Sequence, residues 1–108
     1  MKRKLSLLLL MFAFGDVYAG QIVTGAQVIA VVNTSGNEDV YQVKTTGGAD
    51  NKCEGKYIQF PVSDSANKET HARGYTTALT ALTNGLKVTI YNYVDQNCND
   101  ASFIEITK

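Results

Sequence analysis

One histidine and two cysteines are too few for a metal centre built from the usual nitrogen and sulfur ligands. The sequence has no G-x-S-x-G, no H-E-x-x-H and no phosphate-binding glycine loop. His71 stands alone and reads as an ordinary surface residue, with no nucleophile spaced to use it. Acidic pairs such as Glu38 with Asp39, or Asp95 with Asp100, fall in turns, where carboxylates commonly accept from backbone N–H groups. No catalytic residue, metal or cofactor is therefore expected, and the chain reads as a non-enzyme.

Charge of one sign is also missing. Lys and Arg number 10, and Asp and Glu number 10. No basic patch stands out to meet a phosphate backbone, so nucleic acid is not an expected partner. Long apolar runs are confined to Leu5 to Phe14, too short to span a bilayer as a helix. That run follows Lys2, Arg3 and Lys4 and precedes Val17-Tyr18-Ala19, which gives the three regions of a secretory signal peptide in order. The expected division is a signal peptide over 1–19 and a single domain over 20–108, exported to the periplasm or beyond. No membrane span is expected after cleavage. Removing Lys2, Arg3, Lys4 and Asp16 leaves seven basic and nine acidic residues, a slightly acidic chain. A domain of this size has a modest core and gains from a covalent constraint. Cys53 and Cys98, an even pair in an oxidising compartment, are expected to supply it as a disulfide.

The chain then reads as β-β-β-α-β-β. Gln21 to Asn33 is rich in Val and Ile, and Gly25 inside it marks a bulge or bend. Val28 to Val32 is apolar throughout, which predicts a strand buried on both faces. Val40 to Thr45 alternates, with Tyr41 and Val43 on one face. Tyr57 to Pro61 places Ile58 and Phe60 together, and Pro61 belongs at an end or an edge. Ser63, Asp64 and Ser65 are all able helix caps. Ala72, Tyr75, Leu79 and Leu82, with Ala78 beside them, form one apolar helical stripe expected to face the core. Thr76, Thr80 and Thr83 form a second, uncharged face. Threonine is a mediocre helix former, which points to packing against another subunit or a shared channel as an alternative to a plain solvent face. Asn84-Gly85 stops the helix. Leu86, Val88 and Ile90 then face inward, and Lys87, Thr89, Tyr91 and Tyr93 outward. Phe103 to Thr107 is the last strand. This order fits a five-stranded OB-type Greek-key barrel, with a split α+β sandwich as the alternative.

Tyr75 to Tyr93 (YTTALTALTNGLKVTIYNY), with the strand order before it, resembles the OB-fold receptor-binding B subunits of bacterial five-B-subunit toxins, of the subtilase cytotoxin B subunit type. Cys98 to Ile106 (CNDASFIEI) is similar to a group of uncharacterised small exported proteins of Gram-negative bacteria. The toxin resemblance implies a barrel in a ring of five, with helices facing a central channel, and a glycan receptor as partner. It implies sugar contact at a hydroxyl residue before a glycine early in strand one, which places Thr24 in the site. Tyr91 and Tyr93 add aromatic rings able to stack on sugar faces. The alternative function is a monomeric periplasmic or secreted OB-fold accessory module with another ligand.

Overall fold

A computed structural model describes residues 20–33 and 39–108. The expected signal peptide, and residues 34–38 of the turn expected between the first two strands, lie outside the described residues. The elements in chain order are β1 (Gln21–Asn33), β2 (Val40–Thr46), β3 (Asp50–Asn51), β4 (Tyr57–Pro61), a 3₁₀ turn (Val62–Asp64), α1 (Lys68–Asn84), β5 (Lys87–Tyr91) and β6 (Phe103–Thr107). They form an antiparallel sheet in the order β4-β2-β1-β5-β6, and β3, two residues long, adds onto β1. The expected order of elements is met, with β3 as an addition. The ladder is open: β4 and β6 are its two ends.

β1 is the axis of the sheet because it changes partner along its length. It pairs with β5 over Gln21 to Gln27 and with β2 over Gln27 to Asn33. A bulge interrupts the β5-paired stretch. Register shifts between Val23 and Ala26, and Gly25 takes φ 66°, a left-handed conformation costly for any residue with a Cβ. Beyond Gln27 the strand has lost β5 as a neighbour. This corrects the expectation of burial on both faces: Val28 is buried, but Ile29 is exposed and Val31 and Val32 are half-buried.

The core draws on all five long strands, with Tyr41, Val43, Ile58, Phe60, Val88 and Ile90 inside in the pairs expected. Val23 and Ala26 of β1, Tyr41 and Val43 of β2, Ile58 and Phe60 of β4, Val88 and Ile90 of β5, and Ile104 of β6 are all buried. Each large side chain among them contributes about 1.5–3 kcal/mol through removal of apolar surface from water. Thr89, expected to face outward, is buried too, because its Oγ1 accepts from the Gly25 N–H at 3.2 Å and fills the bulge. Leu86, expected to face inward, is exposed ahead of β5.

The helix docks through a different stripe from the one expected. Ala78 and Ala81 are buried, while Leu79 and Leu82 are each 37 % exposed and Ala72 is exposed. Small side chains let the helix axis approach the sheet, and the space over the strands is already filled by Val, Ile and aromatic residues. Gly74, Ala78 and Ala81, spaced four and three apart, make the contact face. Asn67 caps the helix, its Oδ1 accepting from the Thr70 N–H at 2.8 Å, in place of Ser63, Asp64 or Ser65. Those three belong to the 3₁₀ turn and the residue after it. Gly85, at φ 66°, ends the helix as expected, and the Leu86 N–H reaches back to the Ala81 carbonyl at 3.0 Å.

The Cys53–Cys98 disulfide is present. It joins the loop before β4 to the loop before β6. Beside it the Gln59 N–H donates to the Cys98 carbonyl at 2.8 Å, and the Ala101 N–H donates to the Gln59 carbonyl at 3.0 Å. The two ends of the ladder are thus tied through the chain entering β6. No described helix is long and apolar enough to cross a membrane.

Candidate functional site

The bulge at Gly25 turns Thr24 to the surface, where two polar grooves share it as a wall. One groove runs past Gln27, Gly47, Lys87, Thr89 and Thr107. The other runs past Gln21, Asp50, Lys52 and Gln96. Thr24 Oγ1 donates to Gln21 Oε1 at 3.2 Å, Gln21 Nε2 donates to the Tyr91 hydroxyl at 3.4 Å, and that hydroxyl donates to Glu105 Oε1 at 2.8 Å. Two of the expected ligand residues, Thr24 and Tyr91, are therefore linked through Gln21 across β1, β5 and β6. The bond to Glu105 holds the Tyr91 proton and raises its pKa. Thr107 lines the first groove, and its Oγ1 is buried with no hydrogen-bond partner among the described residues.

The rim of these grooves is fixed by short-range polar contacts. Glu54 accepts from Thr46 Oγ1 and from the Gly47 N–H, both at 2.7 Å, and these bonds hold its carboxyl below the ordinary value. Ala49 and Lys52 donate their N–H groups to the carbonyls of Thr24 and Ile22, each at 2.9 Å. The loop carrying Asp50 and Lys52 is thereby pinned beside Thr24.

Tyr93, the third expected ligand residue, faces a different space. Its ring is 61 % exposed, crosses Gly20, and stacks with Tyr91 at 5.8 Å between centroids. Tyr91 stacks in turn on its cross-strand partner Phe103 at 4.3 Å and 14°. Tyr93 and Phe103 line a groove of about 500 Å³ between α1 and β6.

Across residues 3–108 the sequence matches DUF5992, described as a family of unknown function. The chain belongs to that family. No curated protein and no solved structure matches it.

Three arrangements in this DUF5992 chain were not legible in its sequence. Asn92 is buried and organises the loop that carries Gln96 and Cys98. Its Oδ1 accepts from the N–H groups of Val94 and Asp95, and its Nδ2 donates to Asp95 and to the Asn97 carbonyl. Asn is a turn residue in any sequence, and no local pattern records its burial. In the same loop, the Asn97 N–H holds the Asp95 carboxyl low, and desolvation with Asp95 close by pushes Asp100 up. His71 corrects the surface expectation: it is half-buried, with Nε2 at 2.7 Å from the Phe60 carbonyl and its ring 4.9 Å from that of Tyr41. Third, the hydroxyls of Thr76 and Thr80 donate to the carbonyls four residues back, at 3.3 and 2.9 Å. With their polar atoms turned onto the helix, these threonines present methyl groups beside the exposed Leu79 and Leu82. No group of three or more His, Cys, Asp or Glu stands close enough to hold a metal among the described residues.

Proposed function

We propose that this protein is an exported, non-enzymatic binding subunit that takes a glycan along the grooves meeting at Thr24. The observation carrying this is the side-chain chain Thr24–Gln21–Tyr91–Glu105 on an outer face, at the wall shared by two polar grooves. Sugar hydroxyls both donate and accept, and Thr, Gln and Lys side chains with exposed backbone groups meet both needs. Tyr91, bonded to Gln21, adds ring surface beside them. The strand order supports an OB-type barrel as the frame: the third and fifth long strands lie at opposite ends of the ladder, and backbone bonds at Gln59 and the disulfide draw them together.

The same reading includes a ring of five built on α1. Its support is the outer helix face, where Leu79 and Leu82 stand exposed beside Thr76, Thr80 and Thr83. Buried interfaces of subunits are apolar at their centres, and this face supplies leucine and threonine methyls. A ring raises weak single-site sugar affinity through multivalency.

Two measurements test the reading. A glycan array probed with the protein displayed at high avidity should give hits that Thr24→Val reduces about tenfold, the scale of one lost polar contact with an unsatisfied sugar hydroxyl. No hit, or hits indifferent to Thr24→Val, removes the glycan site. Native mass spectrometry should give five chains. A mass of one chain replaces the ring with a monomeric accessory module.

A further inference from the structure

The groove between α1 and β6 is separate from the grooves at Thr24 and has a different chemistry. Its walls include Gly74 and Thr77 from α1, Val94 and Tyr93 from the loop after β5, and Phe103 from β6; Tyr41 forms its floor. Its volume, about 500 Å³, falls within the range of small-molecule sites. Two details make it a built cavity. Tyr41 is only 3 % exposed and lines the groove, and its hydroxyl, with no hydrogen bond to a described residue, is open to the groove rather than sealed in the core. Buried tyrosines ordinarily pair their hydroxyl. Rotation away is blocked, because the ring is stacked on Phe60 at 4.6 Å and 5° and meets Tyr75 edge-on at 5.5 Å. Gly74 is the second detail. A Cβ at that position would collide with the Tyr41 hydroxyl, so glycine there makes room for the oxygen beside the helix.

We infer that this groove binds a small amphipathic molecule whose apolar chain or ring fills the cavity and whose uncharged carbonyl-type oxygen accepts from the Tyr41 hydroxyl. Burial raises the pKa of that hydroxyl, so it remains a donor across the physiological range. The acceptor is uncharged because an anion brought to this depth would lose its hydration against a single neutral donor. Polar ends of the ligand stay at the mouth, where Asp64 and Arg73 stand and Arg73 donates to Thr70 Oγ1 at 3.2 Å.

The test titrates the purified exported protein with 2-nonanone, which has an apolar chain and one carbonyl, and follows amide shifts by heteronuclear NMR. Saturable shifts centred on Gly74, Thr77, Val94 and Ile104 are expected. Thr77→Phe, which fills the groove from the helix side, should abolish them. Ala66→Trp, in the exposed turn before α1, is an independent plug should the first variant fold poorly. Tyr41→Phe keeps the stacked ring and should weaken binding about fivefold, the worth of one hydrogen bond. Absence of saturation up to the solubility limit of the probe overturns the site. So do shifts that both plugs leave unchanged. Equal affinity in Tyr41→Phe overturns the role of the hydroxyl and with it the ligand class. Glycan-array behaviour is independent of all three results.

Discussion

Breaking the disulfide should cost this protein much of its stability. Cys53 and Cys98 are 45 positions apart, and closing a loop of that length restricts the unfolded chain by about 4 kcal/mol in the chain-entropy treatment. Native domains of this size hold only about 5–15 kcal/mol in all. The pair Cys53→Ala/Cys98→Ala should therefore lower the melting temperature by about 20 °C. Cys53 is fully buried, so the variants are alanines, which place no hydroxyl in the core. Differential scanning calorimetry of the variant against wild type, with and without reductant, gives the number. Amide hydrogen exchange gives the location. The amides of Gln59 and Ala101, whose bonds tie β4 to the chain entering β6, should open well before those of β1 and β2. A loss below about 1 kcal/mol would refute the loop-closure reasoning, since even a 15-residue loop predicts about 3 kcal/mol. Uniform loss of protection across the sheet would refute the claim that the disulfide closes one side of the ladder.

Two further perturbations probe local chemistry. Asn67→Ala should destabilise the protein by about 1 kcal/mol in urea unfolding, the usual worth of a helix cap, while Ser63→Ala and Ser65→Ala stay within about 0.5 kcal/mol. Glu54 should produce an acid-side loss of stability. Its folded pKa is depressed by bonds from Thr46 and Gly47, so its contribution is complete above the ordinary value of 4.5 and is lost as pH falls through the folded value. Glu54→Gln should flatten the wild-type slope below that pH, read as the difference between the two stability profiles. An unchanged slope would mean that the Thr46 and Gly47 bonds do not depend on the charge.

Much of the sheet was legible in the sequence because strand alternation reports a face directly. Tyr41 with Val43, and Ile58 with Phe60, were assigned to one side by period alone, and both pairs are buried. Gly25 and Gly85 were legible because a left-handed backbone leaves few choices of residue. The helix was misread for a physical reason. Hydrophobicity ranks leucine above alanine, so the stripe through Leu79 and Leu82 looked like the core face. Close approach to a filled sheet instead selects the smallest side chains, and the spacing Gly74, Ala78, Ala81 was the signal for it. The error at Val28 to Val32 has the same origin. Composition described an apolar strand, but its burial depended on β5 ending its pairing at Gln27, which no local pattern records. Site residues were harder still. Thr24 came from a resemblance, and its link to Tyr91 passes through Gln21, a partner fixed by the β1–β5 register.

That register also connects the polar face at Thr24 to the aromatic rings beside the apolar groove. Tyr91 lies across from Gln21 on β1 and from Phe103 on β6. Its hydroxyl faces the polar side, held between Gln21 and Glu105, and its ring stacks with Phe103 and Tyr93, which line the apolar side. A tyrosine has both ends available, a hydroxyl for the sheet face that carries Thr24 and a ring for the groove under α1. Phenylalanine at 91 would keep the stack and break the polar chain. Strand alternation put Tyr91 and Tyr93 on one face, as rings for one sugar site. The packing divides them: Tyr91 bonds through its hydroxyl to Gln21, the neighbour of Thr24, and Tyr93 lines the apolar groove.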